Sequence, residues 1–339
     1  MEKETLNRQV ILINRPAGIP QKEDFKIIES TMPMLAAGQI RVRNIYLSVE
    51  PAMRGWVSAV PNYSDPVALN SVMRAFAVGV VDESMHPKFK VGMRVAGLFG
   101  WQHYSVVDAS DIEQVLDSDD MPISTALGVL GINGVTAHIG LLEVGQPKPG
   151  ETVVVSTAAG AVGSCVGQIA KIKGCRTVGI AGGAAKVQMC MDMFGYDAAV
   201  DYKSEDFSNS LALACKDGID IYFDNVAGRI SDEVMKHLNI GARVVICGTA
   251  SVASWNPHPM GPRTDRTLLV KRARMQGFLI FDHKDYYPTA RRDLREWIRS
   301  GAIRYKEDIL EGIEAAPDSI AGLYRGENIG KRLIKVLKD

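Results

Sequence analysis

The hydrophobic and polar positions of this chain follow one pattern in its first third and another in its middle. Up to about residue 120, short apolar and β-branched runs alternate with Gly and Pro, which is typical of strands joined by turns. The pattern indicates a β-rich partial barrel rather than a parallel sheet. Strands are predicted at residues 10–13, 39–47, 75–81, 94–98 and 103–107.

From about residue 125 the pattern changes to longer apolar segments in which strands and helices alternate. This alternation predicts a doubly wound parallel sheet. A helix is predicted at 125–142, and strands at 152–156, 176–180, 198–201, 219–224, 242–247 and 274–281. A further helix is expected after Tyr286 and should end near Gly301. The apolar alternation at 332–337 predicts a strand that returns to the first domain.

Length and composition narrow the class of protein. A chain of 339 residues exceeds what one core usually holds, so two domains are expected. Its 39 basic and 39 acidic side chains cancel, which argues against nucleic acid or a membrane surface as partner. The sequence has no apolar run of membrane-spanning length and no targeting pattern at its start, so we expect a cytoplasmic protein. The five cysteines form no C-x-x-C pair and are expected to be reduced core residues.

The strongest local motif follows the strand at 152–156. The segment Ala158-Ala-Gly160-Ala-Val-Gly163 resembles a G-x-G-x-x-G turn with Ala158 in place of the first glycine, and a helix is predicted after it. Gly160 lets the backbone approach a pyrophosphate, and Gly163 lets the helix pack closely on the strand. A dinucleotide site is therefore predicted, with contacts from Ala158, Gly160, Ala161, Val162 and Gly163.

The end of the next strand indicates which dinucleotide is bound. An NAD site usually has an Asp or Glu about 20 residues after the turn, where it binds the ribose 2′-hydroxyl. Here the strand ends in Ala181-Gly182-Gly183, with Lys186 shortly after it and Tyr202 at the end of the third strand. The sequence therefore predicts NADP(H), with Gly182, Lys186 and Tyr202 around the 2′-phosphate.

Many motifs in a fixed order resemble the zinc-independent medium-chain dehydrogenase/reductase superfamily, in particular the group of leukotriene B4 dehydrogenases, prostaglandin reductases and curcumin or alkenal double-bond reductases. The resemblance extends nearly end to end. It is carried by Ser48-Val-Glu-Pro-Ala-Met-Arg-Gly55, Gly134-Val-Thr-Ala137, the phosphate turn, Gly179-Ile-Ala-Gly-Gly183, Asp201-Tyr-Lys203, Tyr222-Phe-Asp-Asn-Val226, Cys247-Gly248, Met275-Gln-Gly-Phe278 and Gly326-Glu-Asn-Ile-Gly-Lys331.

The resemblance implies an α/β fold with a GroES-like β-rich catalytic domain (residues 1–125 and 303–339) and a Rossmann NADP(H)-binding domain (residues 126–302). The chain is also expected to form a homodimer in which the strand at 275–281 pairs across a two-fold axis. The resemblance also implies that Asn225 and Gly248 line the cofactor cleft, that Phe278 and Asn328 approach the nicotinamide half, and that Thr136 lies near the carboxamide. Ala227 stands where the group usually has Gly, and we expect only local backbone consequences.

The same resemblance implies a reaction and argues against zinc. Catalytic zinc in the wider superfamily needs Cys and His ligands, and the first 160 residues contain no cysteine. The reaction it implies is transfer of a hydride from NADPH to the β-carbon of an α,β-unsaturated ketone or aldehyde, followed by protonation of the enolate. No metal is expected to take part.

The proton donor is the open point in this assignment. In many relatives a tyrosine follows the Cys-Gly pair, whereas this chain has Trp255 in the comparable stretch. Tyr63 is the more plausible phenol for a catalytic or substrate contact, and a cofactor ribose hydroxyl or a water could serve instead. Met53 and Arg54 are expected to border the same substrate pocket.

Three other functions remain open on the sequence. A quinone reductase or an enoyl thioester reductase would share the fold, the cofactor and the lack of zinc. A protein that binds NADPH without useful catalysis would also keep the phosphate turn, and the loss of the expected tyrosine at Trp255 is the feature that favours this reading.

Overall fold

The computed structural model describes residues 6–60, 62–116, 120–252, 257 and 259–337. The chain divides into two compact units, of which the first contains Met1–Leu127 with Glu307–Asp339 and the second contains Gly128–Lys306. Among the described residues, no helix has the length and apolar character needed to cross a membrane.

The described strands and helices fall in chain order as follows. The strands are β1 (Leu6–Leu12), β2 (Phe25–Thr31), β3 (Gln39–Ser48), β4 (Ala77–Ser84), β5 (Arg94–Gly97), β6 (Tyr104–Asp108), β7 (Ile112–Val115), β8 (Thr152–Ser156), β9 (Arg176–Ala181), β10 (Ala198–Asp201), β11 (Ile219–Asp224), β12 (Leu238–Ile246), β13 (Arg274–Gly277), β14 (Glu307–Glu311) and β15 (Lys331–Lys335). The α-helices are α1 (Met53–Val57), α2 (Ile132–Ile139), α3 (Ala161–Ile172), α4 (Ala184–Asp192), α5 (Phe207–Ala214), α6 (Gly228–Val234), α7 (Asp265–Lys271), α8 (Tyr287–Arg299) and α9 (Ala316–Arg325).

The first unit is built on a mostly antiparallel sheet with strand order β14-β15-β3-β4-β5-β7, and β6 pairs with β3 outside this path. β1 and β2 form a separate antiparallel pair. β15 lies antiparallel to β3, with Leu333 opposite Ser48, which confirms the predicted return of the C-terminal strand to the first domain. The sequence did not predict β2, β7 or β14, because most of their positions are half-buried or exposed and polar residues interrupt their apolar ones.

The second unit contains a parallel sheet in the order β10-β9-β8-β11-β12-β13. This is the Rossmann order, in which β8 and β11 flank the point where the strand order reverses. One face of the sheet packs on α5 and α6 through buried residues such as Phe207, Leu211 and Ile230. The two sheets confirm the predicted α/β class, with a β-rich first part and a parallel doubly wound second part.

Several predicted elements differ from the structure in their bounds, and two of these differences have a clear physical reason. The helix predicted at 125–142 is broken into a 3-10 helix at Ile123–Leu127, helix α2 and a π-helical segment at Gly140–Gly145. Gly134 allows the segment before α2 to pack against the helix, because a Cβ there would lie 1.8 Å from the Val129 carbonyl oxygen. The strand predicted at 274–281 ends at Gly277, since its partner β12 ends at Ile246 opposite that residue.

Candidate functional site

The turn between β8 and α3 is shaped by close backbone contacts. Thr157 has a φ of 55°, and its carbonyl oxygen accepts a hydrogen bond from the Gly160 amide at 2.8 Å. A Cβ on Gly163 would lie 2.2 Å from that same oxygen, so only glycine fits there. Gly160 precedes α3 and has no side chain to cap the helix. The first-turn amides of α3, which lack intrahelical acceptors, can therefore receive an anion.

The five residues predicted to line this turn do not have equal access to a ligand. Ala158 is fully buried, and its amide donates to the Ile180 carbonyl at 3.0 Å, which ties the turn to β9. Ala161 and Val162 begin α3 and are half-buried. Ala158 thus contributes to the shape of the turn, while Ala161 and Val162 lie where a bound phosphate would meet the helix N-terminus.

The end of β9 carries the second group of predicted residues. A Cβ on Gly182 would lie 2.8 Å from Cε1 of Tyr202, so the tyrosine ring packs directly over the glycine. The Asp201 carboxylate accepts hydrogen bonds from the amides of Gly183 and Lys203, both at 2.9 Å. These bonds hold β10 against the β9–α4 connection and fix the position of the Tyr202 ring.

Helix α4 begins at Ala184, directly after the connection from β9, and we call this connection the β9–α4 corner. The start of the helix gives the corner a positive electrostatic potential that favours an anion. Its first turn contains Lys186 and no acidic residue. Gly183 precedes the helix with a φ of 89°, a backbone conformation that favours glycine. The positive end of the helix dipole and the Lys186 ammonium therefore act in the same direction, beside Gly182 and Tyr202.

Asn225 and Gly248 are brought together at the carboxyl ends of β8, β11 and β12. The Asn225 side chain donates to the Ser156 carbonyl at 2.7 Å, and its backbone amide donates to the Ser156 hydroxyl at 2.8 Å. The Gly248 amide donates to the Asp224 carbonyl, and a Cβ on Gly248 would lie 3.0 Å from the Asn225 carbonyl oxygen. The sequence pattern did not single out Ser156, although it orients Asn225 through both contacts.

Asp224 lies buried beneath this loop and organises it. Its carboxylate accepts hydrogen bonds from the amides of Val226 and Ala227, both at 2.9 Å. The hydroxyls of Tyr222 and Ser231 donate to it at 3.0 and 2.5 Å. The Tyr222 phenol is also buried, and this burial raises its pKa well above the usual value. Asp224 therefore fixes the backbone that presents Asn225.

The same loop holds Ala227 in an unfavourable conformation. Its φ of 59° and ψ of −162° lie in a region that is essentially restricted to glycine. Gly228 follows with a φ of 63°, so two successive residues have positive φ. The departure from the family glycine therefore leaves strain in the backbone at this position.

The Ala227→Gly variant is expected to be more stable than wild type by about 1 kcal/mol, because the relieved strain exceeds the added freedom of the unfolded chain. Urea denaturation measures the change. Ala212→Gly, at an exposed position inside helix α5, is the control and should lose about 1 kcal/mol. Equal destabilisation of both variants would contradict the assignment of strain to Ala227.

Thr136 and Phe278 lie in a second region of this unit. Thr136 is on α2, and its hydroxyl donates to the Ile132 carbonyl at 2.7 Å. The Phe278 ring packs against Gly140, immediately after α2, where a Cβ would lie 2.5 Å from Cζ of Phe278. Its ring centroid is 6.5 Å from that of Phe223 and 6.4 Å from that of His283. Phe278 is thus half-buried in an aromatic cluster that Gly140 makes possible.

The first unit brings together Arg54, Tyr63 and a residue that the sequence did not suggest, Tyr324. The Arg54 guanidinium lies over the Tyr324 ring, with Cζ 4.9 Å from the ring centroid. The Tyr324 hydroxyl donates to the Pro51 carbonyl at 2.9 Å. Burial raises the pKa of Tyr324 to about 12, and Tyr63 adds to this rise. Tyr63 itself is 48% exposed. The only sequence signal that could have suggested Tyr324 as a site residue is its position two residues before the Gly326–Lys331 motif.

The other predicted residues of this unit have structural contacts. Met53 is fully buried, and its sulfur accepts a hydrogen bond from the Glu50 amide at 3.5 Å. The Asn328 side chain donates to the Gly330 carbonyl at 2.9 Å and so closes its own loop. Trp255 lies outside the described residues.

The five cysteines form no disulfide. Four are buried, Cys247 is half-buried, and burial raises the pKa of each thiol. The pKa is about 12 for Cys165, Cys190 and Cys247, and about 11 for Cys175 and Cys215. Within the described part of the chain, no three His, Cys, Asp or Glu residues are grouped so that they could hold a metal ion.

The chain is similar in sequence and in structure to known oxidoreductases along nearly its whole length. Residues 8–115 match the family model described as the N-terminal domain of oxidoreductase, and residues 161–295 match the one described as zinc-binding dehydrogenase. The chain is 43% identical to the NADPH-dependent curcumin reductase of Escherichia coli (strain K12), over 98% of each chain. It is 38% identical to the NADP(+)-dependent 2-alkenal reductase of Nicotiana tabacum, over 100% of both. The crystal structure of CurA in complex with NADPH from Vibrio vulnificus superposes with a TM-score of 0.91 at 42% identity, covering 98% of this chain and 100% of that one.

Proposed function

Because the chain belongs to the zinc-independent group of the medium-chain dehydrogenase/reductase family, we propose that it uses NADPH to reduce the C=C bond of α,β-unsaturated ketones and aldehydes. The relatives supply the substrate class. The observation in this chain that carries the proposal is the β9–α4 corner, where Lys186 and a helix N-terminus lie beside Gly182 and Tyr202 with no acidic residue in the helix's first turn.

NADPH fits the donors that the second unit offers. The first turn of α3, cleared by Gly160 and Gly163, suits the pyrophosphate, and the Lys186 corner suits the adenosine 2′-phosphate. By family resemblance, Asn225 and Gly248 would line the cofactor cleft, Phe278 would approach the nicotinamide half, and Thr136 would lie near its carboxamide. When bound, NADPH supplies the hydride.

The remaining chemistry falls to the substrate-binding residues of this chain. A carbonyl group makes the β-carbon of an enone electron-poor, and negative charge develops on the carbonyl oxygen as that carbon accepts a hydride. A hydrogen-bond donor held at the oxygen lowers the barrier. The Tyr63 hydroxyl, on a side chain that is 48% exposed, is our candidate for this donor, and Arg54 and Tyr63 both act on the nearby Tyr324.

Consumption of NADPH with a small panel of acceptors tests the proposal directly. The panel contains an aliphatic enal, an aryl enone, a quinone and a saturated ketone, with NADH as the control cofactor and products identified by mass spectrometry. The saturated carbonyl compound is the expected product from the enal and the enone. Turnover of the quinone alone would assign a quinone reductase. Tight NADPH binding without turnover of any acceptor would indicate a binding protein.

The Tyr63→Phe variant is expected to lose about tenfold in kcat/KM for the enone, which corresponds to one hydrogen bond to the reacting oxygen. The dissociation constant for NADPH should stay at its wild-type value, because the phosphate contacts lie in other residues. Tyr104→Phe, on β6, is the matched control and should keep full activity. Unchanged kinetics in both variants would remove Tyr63 from the substrate site.

We further propose that the protein is a cytoplasmic homodimer. β13 is an edge strand whose four residues are all exposed. Exposed apolar side chains lie nearby in the sequence, at Leu269, Val270 and Leu279. Pairing with a second copy would cover this edge. Sedimentation velocity should therefore give about twice the monomer mass of 36.9 kDa.

A further inference from the structure

A lysine is buried in the first unit with all its donors occupied. Lys331 is 4% exposed and opens β15. Its ammonium donates to the Ser48 hydroxyl at 2.6 Å, to the Val49 carbonyl at 3.0 Å and to the Glu50 carboxylate at 2.6 Å. An ammonium has three N–H groups, so each one has a partner on the same three-residue segment.

The segment that Lys331 contacts is itself rigid and buried. The Ser48 hydroxyl donates to the Glu50 carboxylate at 2.6 Å. The buried indole of Trp101 donates to the Ser48 carbonyl at 3.0 Å. The Glu50 amide donates to the sulfur of Met53, the first residue of α1. Residues 48–50 therefore set the starting point of the helix that carries Arg54.

Lys331 also ends the loop that carries Asn328. This loop begins at Gly326, whose φ is 74°, and closes at Gly330, whose φ is 70° and whose carbonyl accepts from Asn328. Tyr324, just before the loop, makes a second connection: its hydroxyl donates to the carbonyl of Pro51, the residue that follows segment 48–50. The Lys331 side chain thus connects the Asn328 loop to the segment that leads into Arg54, and both were predicted to contact a ligand.

Burying the charged Lys331 and Glu50 side chains costs desolvation free energy. Burial lowers the pKa of Lys331, and the charges of Glu50 and Glu307 only partly offset that effect. Two apolar residues of similar volume often give equal or greater stability than a buried ion pair. Such a replacement would not fix the direction of the two segments, because apolar contacts lack the directionality of hydrogen bonds.

We propose that Lys331 is a positioning residue that holds the Asn328 loop and the Arg54 segment in the mutual arrangement needed for enone reduction. Part of this proposal rests on the proposed function. Small displacements of a substrate-holding segment cost about 100-fold in rate, which sets the size of the expected effect.

The test replaces both members of the buried pair, so that neither charge is left facing an apolar side chain, and Glu307 keeps its hydrogen bond from the Ser124 hydroxyl. Lys331→Met combined with Glu50→Leu is expected to fold, with a lower melting temperature because the Ser48 hydroxyl and the Val49 carbonyl lose these partners. Its kcat/KM for the enone should fall about 100-fold, chiefly through kcat. The dissociation constant for NADPH should change by less than about threefold, since the phosphate-binding residues are untouched. The control, Arg41→Met with Asp82→Leu, removes the ion pair of 2.7 Å between Arg41 and Asp82 and the second one, of 2.8 Å, that Arg41 makes with Glu83, and it should keep wild-type activity.

Hydrogen exchange gives a second readout that does not depend on turnover. Amides at residues 49–57 and 326–330 should exchange at least about tenfold faster in the Lys331→Met/Glu50→Leu variant, while those of β4 and β5 should not change. A wild-type protein that reduces no enone would refute the proposed function, and the exchange rates would still decide the positioning role. A folded double variant with wild-type exchange in both segments would overturn the proposal, and so would an equal loss of activity in the control pair.

Discussion

Replacing Gly163 with alanine is expected to weaken NADPH binding about 100-fold. The added Cβ would lie 2.2 Å from the Thr157 carbonyl oxygen and 2.8 Å from its carbon. Both are backbone atoms, so the turn itself must move, and the amides at the start of α3 move with it. Loss of two charge-assisted hydrogen bonds to phosphate, each worth about 1.5 kcal/mol, gives this factor. Fluorescence titration with NADPH measures it.

Two further variants make this test decisive. A Cβ on Gly277 would meet nothing within 4 Å, so Gly277→Ala should bind NADPH as wild type does. A Cβ on Gly160 would lie 2.9 Å from a side-chain methyl of Thr157 and 3.1 Å from its carbonyl oxygen, so Gly160→Ala should give an intermediate loss. If Gly163→Ala fails to fold, the milder Gly160→Ala variant still reports on the turn. Wild-type affinity in a folded Gly163→Ala protein would show that α3 does not receive the phosphate.

Removing the ammonium of Lys186 is expected to change cofactor choice rather than cofactor binding in general. Lys186→Ala should raise the dissociation constant for NADPH about 30-fold, the effect of one charge-assisted hydrogen bond worth about 2 kcal/mol. The constant for NADH should stay the same, because NADH carries no 2′-phosphate. Calorimetric titration with both cofactors, repeated at high salt, measures the two constants.

The control for this variant is a lysine far from the corner in sequence. Lys216 is exposed after α5 in the same unit, and Lys216→Ala should leave both affinities unchanged. An equal fall in NADPH and NADH affinity in Lys186→Ala would mean that the lysine supports the fold of α4 instead of binding the phosphate.

The sequence predicted most reliably the short apolar strands of the parallel sheet. β8, β10 and β11 have the predicted bounds, because each is a short apolar run between clear turns. The error at Phe278 has a physical cause, since the end of β13 depends on where its partner β12 stops. An apolar run alone does not carry that information.

In the site, local motifs predicted the phosphate turn and the Lys186 corner, whose members are close in sequence. The residues that hold others in place were not predicted. Lys331 and Glu50 are separated by 281 positions, and Tyr324 and Pro51 by 273. Asp224 was visible only as part of a motif, because its role depends on amides and hydroxyls that the fold brings around it. Contacts between distant segments require the three-dimensional structure.

The burial and raised pKa values of the cysteine thiols bear on how fast the protein is alkylated by electrophiles. Enals and enones alkylate proteins by adding to thiolates, and the thiolate is far more reactive than the thiol. Every thiol of this chain is at least half-buried and has a raised pKa, so near neutral pH almost none is ionised. Alkylation of these five thiols by an enal or an enone is therefore expected to be slow.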